Sequence, residues 1–104
     1  METNSFAVLC YIRTSKSDKL GRAPLYLRIT VDSNRTELSI KRKILPSKWC
    51  SSKGRAKGSS QNIKALNHYI SELEFKAFNI HSKLAIKNKP FTAETIRNKL
   101  MKKE

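Results

Sequence analysis

The sequence predicts an α+β domain in which a three-stranded antiparallel sheet packs on one long C-terminal helix. Two observations predict it. Residues Pro24 to Lys43 carry strictly alternating apolar side chains around a short polar break, and from about Ser60 the apolar period changes from two to about 3.6. A chain of 104 residues holds one small domain with one core.

The central pair comes first. Alternation puts Leu25, Leu27, Ile29 and Val31 on one face and Tyr26, Arg28 and Thr30 on the other. A two-residue loop at Ser33-Asn34, with Asp32 opposite Arg35, pairs Ile29 with Leu38, Leu27 with Ile40 and Val31 with Thr36. The same register sets Arg28 beside Ser39, Tyr26 beside Lys41 and Thr30 beside Glu37. Glycine is the easier left-handed turn residue, but Asn34 tolerates that conformation.

A lone hairpin is marginal in water, so a third strand is required. Phe6 to Arg13 supplies it, with Phe6, Val8, Cys10 and Ile12 in one phase and Leu9, Tyr11 and Arg13 in the other. Thr14 to Arg22 is a solvated connection. Pro46 ends the sheet because it cannot donate a ladder hydrogen bond, and Trp49 is expected to fold back over the core. The expected sheet therefore covers residues 6–45.

Residues 50–60 read as a mobile basic loop of Ser, Gly, Lys and Arg. Ile63, Leu66, Ile70, Leu73, Ala77, Ile80 and Leu84 then form the stripe of an amphipathic helix over residues 60–88, with Ser59 or Ser60 as N-cap. Such a helix spans roughly 40 Å against about 26 Å for an eight-residue strand, so it is expected to overhang the sheet. Phe75, Phe78 and Ile86 lie outside its stripe. They either pack on the N-terminal strand or a nearby loop, or meet a following domain or second chain. Thr92 caps a second short helix, Ala93 to Met101, with Ile96 and Leu100 on one side.

Composition narrows the function. The formal charge is +14, from 22 Lys and Arg against 8 Asp and Glu, and such an excess calls for a polyanionic partner to offset self-repulsion. Residues 1–60 hold 13 bases and 4 acids, and residues 61–104 hold 9 and 4, so the charge concentrates with the strands and loops. No apolar run approaches the roughly 20 residues of a membrane span, and Met-Glu-Thr-Asn-Ser lacks the character of a secretory signal. A cytoplasmic protein is expected. Cys10 and Cys50 are too few for a disulfide framework.

The sequence holds no recognisable catalytic or metal-binding grouping. Cys10, Cys50, His68 and His81 have no zinc spacing, so neither metal nor cofactor is expected. His68 and His81 are expected at the surface or its boundary. No acid pair or Ser/His/Asp grouping suits acid–base or covalent catalysis. Gly54 to Gly58 has the look of a phosphate loop, but its lysine precedes the second glycine and no strand leads into it.

A nucleic-acid footprint remains. Lys53, Arg55 and Lys57 on the loop and Lys43 at the strand end are expected to anchor phosphates. The polar sheet face is narrow enough for a DNA major groove. Arg28 at its centre is the expected guanine reader, with Tyr11, Arg13, Tyr26, Thr30, Ser39 and Lys41 as neighbours. Glu37 opposes a purely electrostatic surface. It is expected to accept from a cytosine amine or to pair with Arg35.

The run Tyr11 to Lys16, then Gly21 to Val31, the basic strand, Pro46-Ser-Lys-Trp49 and Gly54-Arg-Ala-Lys-Gly58 before a long helix resembles the N-terminal arm DNA-binding domain of tyrosine recombinases carried by mobile elements. The similarity covers nearly the whole chain and rests on the ordered combination. It implies a sheet inserted in the major groove of arm-type sites, positioning a recombinase for integration and excision. It also implies that the catalytic Arg, Lys, His and Tyr set lies in a later domain, so Tyr11, Tyr26 and Tyr69 are not nucleophiles. On this view residues 1–89 are the arm-binding domain and 90–104 begin the connection to a core-binding domain. Duplex DNA is the expected partner, with other recombinase protomers met through the parent protein and no membrane or small-molecule substrate. An RNA-binding module and a helix-mediated dimerisation domain are the competing expectations.

Overall fold

The computed structural model describes residues 5–87 and 90–101. The expected helix end at Asn88 and the final residues 102–104 lie outside them, as do residues 1–4. Strands β1 (Phe6–Ile12), β2 (Ala23–Val31) and β3 (Asn34–Ile44) form an antiparallel sheet in that spatial order. The strand with the strictest alternation is central: Leu25, Leu27, Ile29 and Val31 of β2 are all buried, and Tyr26, Arg28 and Thr30 between them are half-buried. Phe6, Val8, Cys10 and Ile12 pair along the same face, opposite Val31, Ile29, Leu27 and Leu25.

The hairpin register differs from expectation. Val31 pairs with Asn34, Ile29 with Thr36, Leu27 with Leu38 and Arg28 with Glu37. The loop residues are Asp32 and Ser33, with φ of 50° and 72°, the two positive values that a tight hairpin twisted like its strands requires. The neighbouring strand pins this choice. The Ser5 amide donates to Asp32 Oδ1 (3.1 Å), and the Asp32 amide donates to the Ser5 carbonyl (3.0 Å). From Tyr26 to Val31 every partner on β3 is displaced by two residues, an even shift, so the expected faces survive.

A bulge then restores the expected register. Between the pairs Tyr26–Ser39 and Pro24–Lys43, Leu25 alone faces Ile40, Lys41 and Arg42. Lys41 takes up the excess with φ of 62°, and Arg42 swings out to lay its guanidinium over the Tyr69 ring at 4.3 Å. Bulges re-aim side chains in this way.

Two helices cover the apolar face. Helix α1 (Gln61–Lys87) buries Ile70 and Ala77, with Ile63, Leu66, Leu73, Ile80 and Leu84 half-buried around them. Ser60 is its cap, its Oγ accepting from the Ile63 amide (3.3 Å). Helix α2 (Ala93–Met101) packs on β2, β3 and α1, burying Ala93 and Ile96 in the same core. Arg97 Nε fastens it by donating to the Glu37 carbonyl (2.9 Å). Phe78 meets the Phe6 ring edge to face at 5.0 Å, and Phe6 also stacks on His81 at 4.1 Å. Phe75 and Ile86 stay exposed. The alternatives for the three off-stripe residues thus divide, Phe78 touching the first strand while the other two face outward.

Residues 50–60, expected as a mobile basic loop, form most of a second hairpin. Strands β4 (Trp49–Cys50) and β5 (Arg55–Ala56) pair around a turn containing Gly54. Gly54 has φ of +62°, and a Cβ there would approach the Cys10 carbonyl to 3.3 Å. Trp49 and Ala56 are buried, so the tryptophan covers the core as expected. Strands of two residues carry no periodic signal, and the order comes from α1. Asn67 clamps the Ala56 backbone from both sides, its Oδ1 accepting from the amide (2.8 Å) and its Nδ2 donating to the carbonyl (3.1 Å).

Candidate nucleic-acid interface

The sheet face away from the helices carries a linked cluster. Glu37 stands on β3 opposite Arg28 of β2, which stands opposite Leu9 of β1. Arg28 Nε donates to Glu37 Oε2 (3.2 Å), and Arg13 Nη2 donates to Oε1. Arg13 also donates to the Tyr11 hydroxyl through Nε (3.3 Å) and Nη2 (3.2 Å). The two tyrosines pair across the strands at 6.1 Å, and each is covered by a guanidinium: Arg28 lies 4.6 Å from the Tyr11 ring and Arg13 lies 4.2 Å from the Tyr26 ring. The Tyr11 hydroxyl, followed by the Arg28 and Arg13 guanidiniums, holds the Glu37 carboxyl below its ordinary range against the opposing effect of burial. Glu37 therefore stays ionised, and it pairs with Arg28 and Arg13 rather than Arg35.

Five of the expected site residues, Tyr11, Arg13, Tyr26, Arg28 and Thr30, share this face, with Ser39 beside Tyr26. Lys41 and Lys43 lie at the bulged end, where they line an open recess with Arg22, Pro24, Ser39 and Arg42. Asp18 organises that end. Its Oδ1 accepts from the Leu20 (3.0 Å) and Arg22 (2.9 Å) amides, and its Oδ2 accepts from Arg22 Nε (3.1 Å) and Lys43 Nζ (3.5 Å). The Arg22 amide above all holds the Asp18 carboxyl down at about 2.

Lys53 and Lys57 are exposed at the second hairpin, whereas Arg55 turns inward. Its guanidinium donates to both Glu74 oxygens (3.2 and 2.8 Å), to Ser71 Oγ (3.0 Å) and to the Gly54 carbonyl (2.9 Å). Sequence reading missed this ion pair and the basic contributions of Arg22 and Arg42. Arg22 was findable from Asp18 four residues before it. The Glu37 partners depend on the register, which one displaced turn concealed.

Among the described residues no group of acids, histidines and cysteines is placed to hold a metal, and no helix is long and apolar enough to cross a membrane. The thiols differ. Burial pushes Cys10 up to about 12, while hydrogen bonding from Ser52 lowers half-exposed Cys50.

A three-stranded sheet backed by helices, its open face holding arginines, tyrosines and one carboxylate and its rim lined with lysines, defines a nucleic-acid-binding module. Comparison with known families specifies it further. The arm DNA-binding domain model matches residues 10–97, and the chain belongs to that family. It is a non-catalytic DNA-binding module of integrase-type proteins, with duplex DNA as its partner. No curated protein and no solved structure gives a significant match.

Proposed function

We propose that the polar face of the sheet enters the major groove of duplex DNA and reads an arm-type site, so that the module positions a site-specific tyrosine recombinase for integration and excision. The observation that carries this reading is the cluster of Tyr11, Arg13, Tyr26, Arg28 and Glu37 on the sheet face that, among the described residues, neither helix covers. Three strands are about 10 Å wide between outer axes, against a major groove of roughly 12 Å. Arg28 takes guanine O6 and N7, with Arg13, Tyr11, Tyr26, Thr30 and Ser39 against neighbouring bases and sugars. Lys41, Lys43, Lys53 and Lys57 hold phosphates, which fixes orientation without conferring sequence preference.

The competing RNA reading needs open aromatic faces on which unpaired bases stack. Tyr11 and Tyr26 are instead occupied by guanidiniums, which favours the duplex. Residues 90–104 lead on toward a core-binding domain, with α2 still packed in the core of this module and Arg97 anchoring it to the sheet. The protein works in the cytoplasm, on the nucleoid.

Selection from random duplexes at moderate salt tests the proposal. Wild type enriches a short motif containing guanine, and Arg28→Ala binds that motif less selectively, losing about 1–3 kcal/mol of discrimination. Failure to enrich any motif, or a motif indifferent to Arg28→Ala, contradicts base reading by this face.

A further inference from the structure

A carboxylate in the middle of a DNA-reading face is costly for a protein that relies on phosphate attraction, and it demands a use. Glu37 engages Arg28 through Nε only. The two terminal nitrogens of Arg28 make no hydrogen bond among the described residues, so the forked end remains open. The ring of Tyr11 supports the flat face of the same guanidinium at 4.6 Å. Carboxylate along one edge and ring against one face leave Arg28 with a fixed plane. A bidentate contact to guanine O6 and N7 requires such a fixed, planar fork.

Glu37 also acts on Arg13, whose Nη2 it accepts alongside the Tyr11 hydroxyl. Arg13 and Arg28, the two arginines beside Glu37, are thus tied to one carboxylate, held by the Arg97 contact to its own backbone carbonyl. A phosphate approaching this face meets a carboxylate already in place, whereas a guanine edge meets the free fork.

Resting on the major-groove reading, we infer that Glu37 is the selectivity residue of this face. It positions Arg28 for guanine, and its negative charge opposes phosphates at both neighbouring guanidiniums, trading overall affinity for discrimination.

The test compares wild type, Glu37→Gln and Arg28→Ala by fluorescence anisotropy on the selected duplex and on a scrambled duplex, each over a salt series. Glutamine keeps the size of the side chain and removes its charge, and thermal melting of each variant checks folding. Glu37→Gln is expected to bind scrambled DNA more tightly and to lose about tenfold in the ratio of specific to non-specific affinity. Its salt slope on scrambled DNA is expected to steepen by about one, as a released guanidinium reaches a phosphate. A merely structural role would not steepen that slope. An unchanged ratio and slope in Glu37→Gln, with Arg28→Ala still losing discrimination, overturns the inference and leaves the groove reading intact. Indifference of wild type to sequence overturns both.

Discussion

Arg55→Met separates a structural arginine from a DNA-contacting one. The wild-type guanidinium makes four hydrogen bonds to Glu74, Ser71 and Gly54, and the pair is 24% and 23% exposed. Exposed pairs contribute about 0–1 kcal/mol, and breaking a fully buried pair costs about 3–5 kcal/mol. A pair with a quarter of its surface in water falls between, at about 2 kcal/mol. Methionine retains the packing of the stem but strands the Glu74 carboxylate. With a urea dependence of about 1–3 kcal/mol/M for small proteins, the denaturation midpoint should fall by roughly 1 M. The salt slope of DNA binding should stay at the wild-type value, because this guanidinium faces α1. Lys53→Ala and Lys57→Ala should do the reverse, leaving the midpoint in place and flattening the slope by about 0.9 each. A flattened slope with an unchanged midpoint in Arg55→Met would refute the inward assignment.

Three further outcomes follow from the same geometry. Ile70, fully buried where α1 crosses the sheet, should cost about 2–5 kcal/mol when changed to Ala, measured by urea denaturation; a loss under about 1 kcal/mol would contradict its central place. The Asp18 carboxyl, depressed from 3.8 to about 2, lends the Thr14–Arg22 connection a stabilisation that is complete above about 4 and disappears as pH falls through about 2; carboxyl NMR titration checks this, and a midpoint near 4 would refute it. Iodoacetamide should label Cys50 in the native protein while sparing Cys10, whose thiol is buried and pushed up to about 12; mass spectrometry of peptides showing equal labelling would contradict the packing of Cys10.

The strength of the periodic signals determined how far the sequence could be read. Leu25 to Val31 and the stripe from Ile63 to Leu84 each repeat often enough to specify a face, and both faces are where alternation and helical spacing put them. Register is a finer quantity. Ser33-Asn34 and Asp32-Ser33 offer nearly the same turn chemistry, and the decision came from the contact between Asp32 and Ser5, 27 residues apart in sequence. The bulge at Lys41 was hidden for a related reason, since nothing in Ile40-Lys-Arg-Lys43 announces a positive φ. The second hairpin was invisible because its order is borrowed from Asn67 and Glu74 on α1. In the site, residue types and faces were legible, and the ion-pair partners were not. Arg28 and Glu37 are adjacent only in the register that the tertiary contact selects.

Whether the sheet's polar face lies in the major groove is tested most directly by methylation interference on the selected duplex. Methyl groups at guanine N7 project into the major groove, and those at adenine N3 into the minor groove. N7 methylation within the motif should abolish binding by wild type, with the effect at one guanine lost in Arg28→Ala, while N3 methylation should be tolerated. Interference at adenine N3 with tolerance at guanine N7 would place the protein in the other groove and contradict the account.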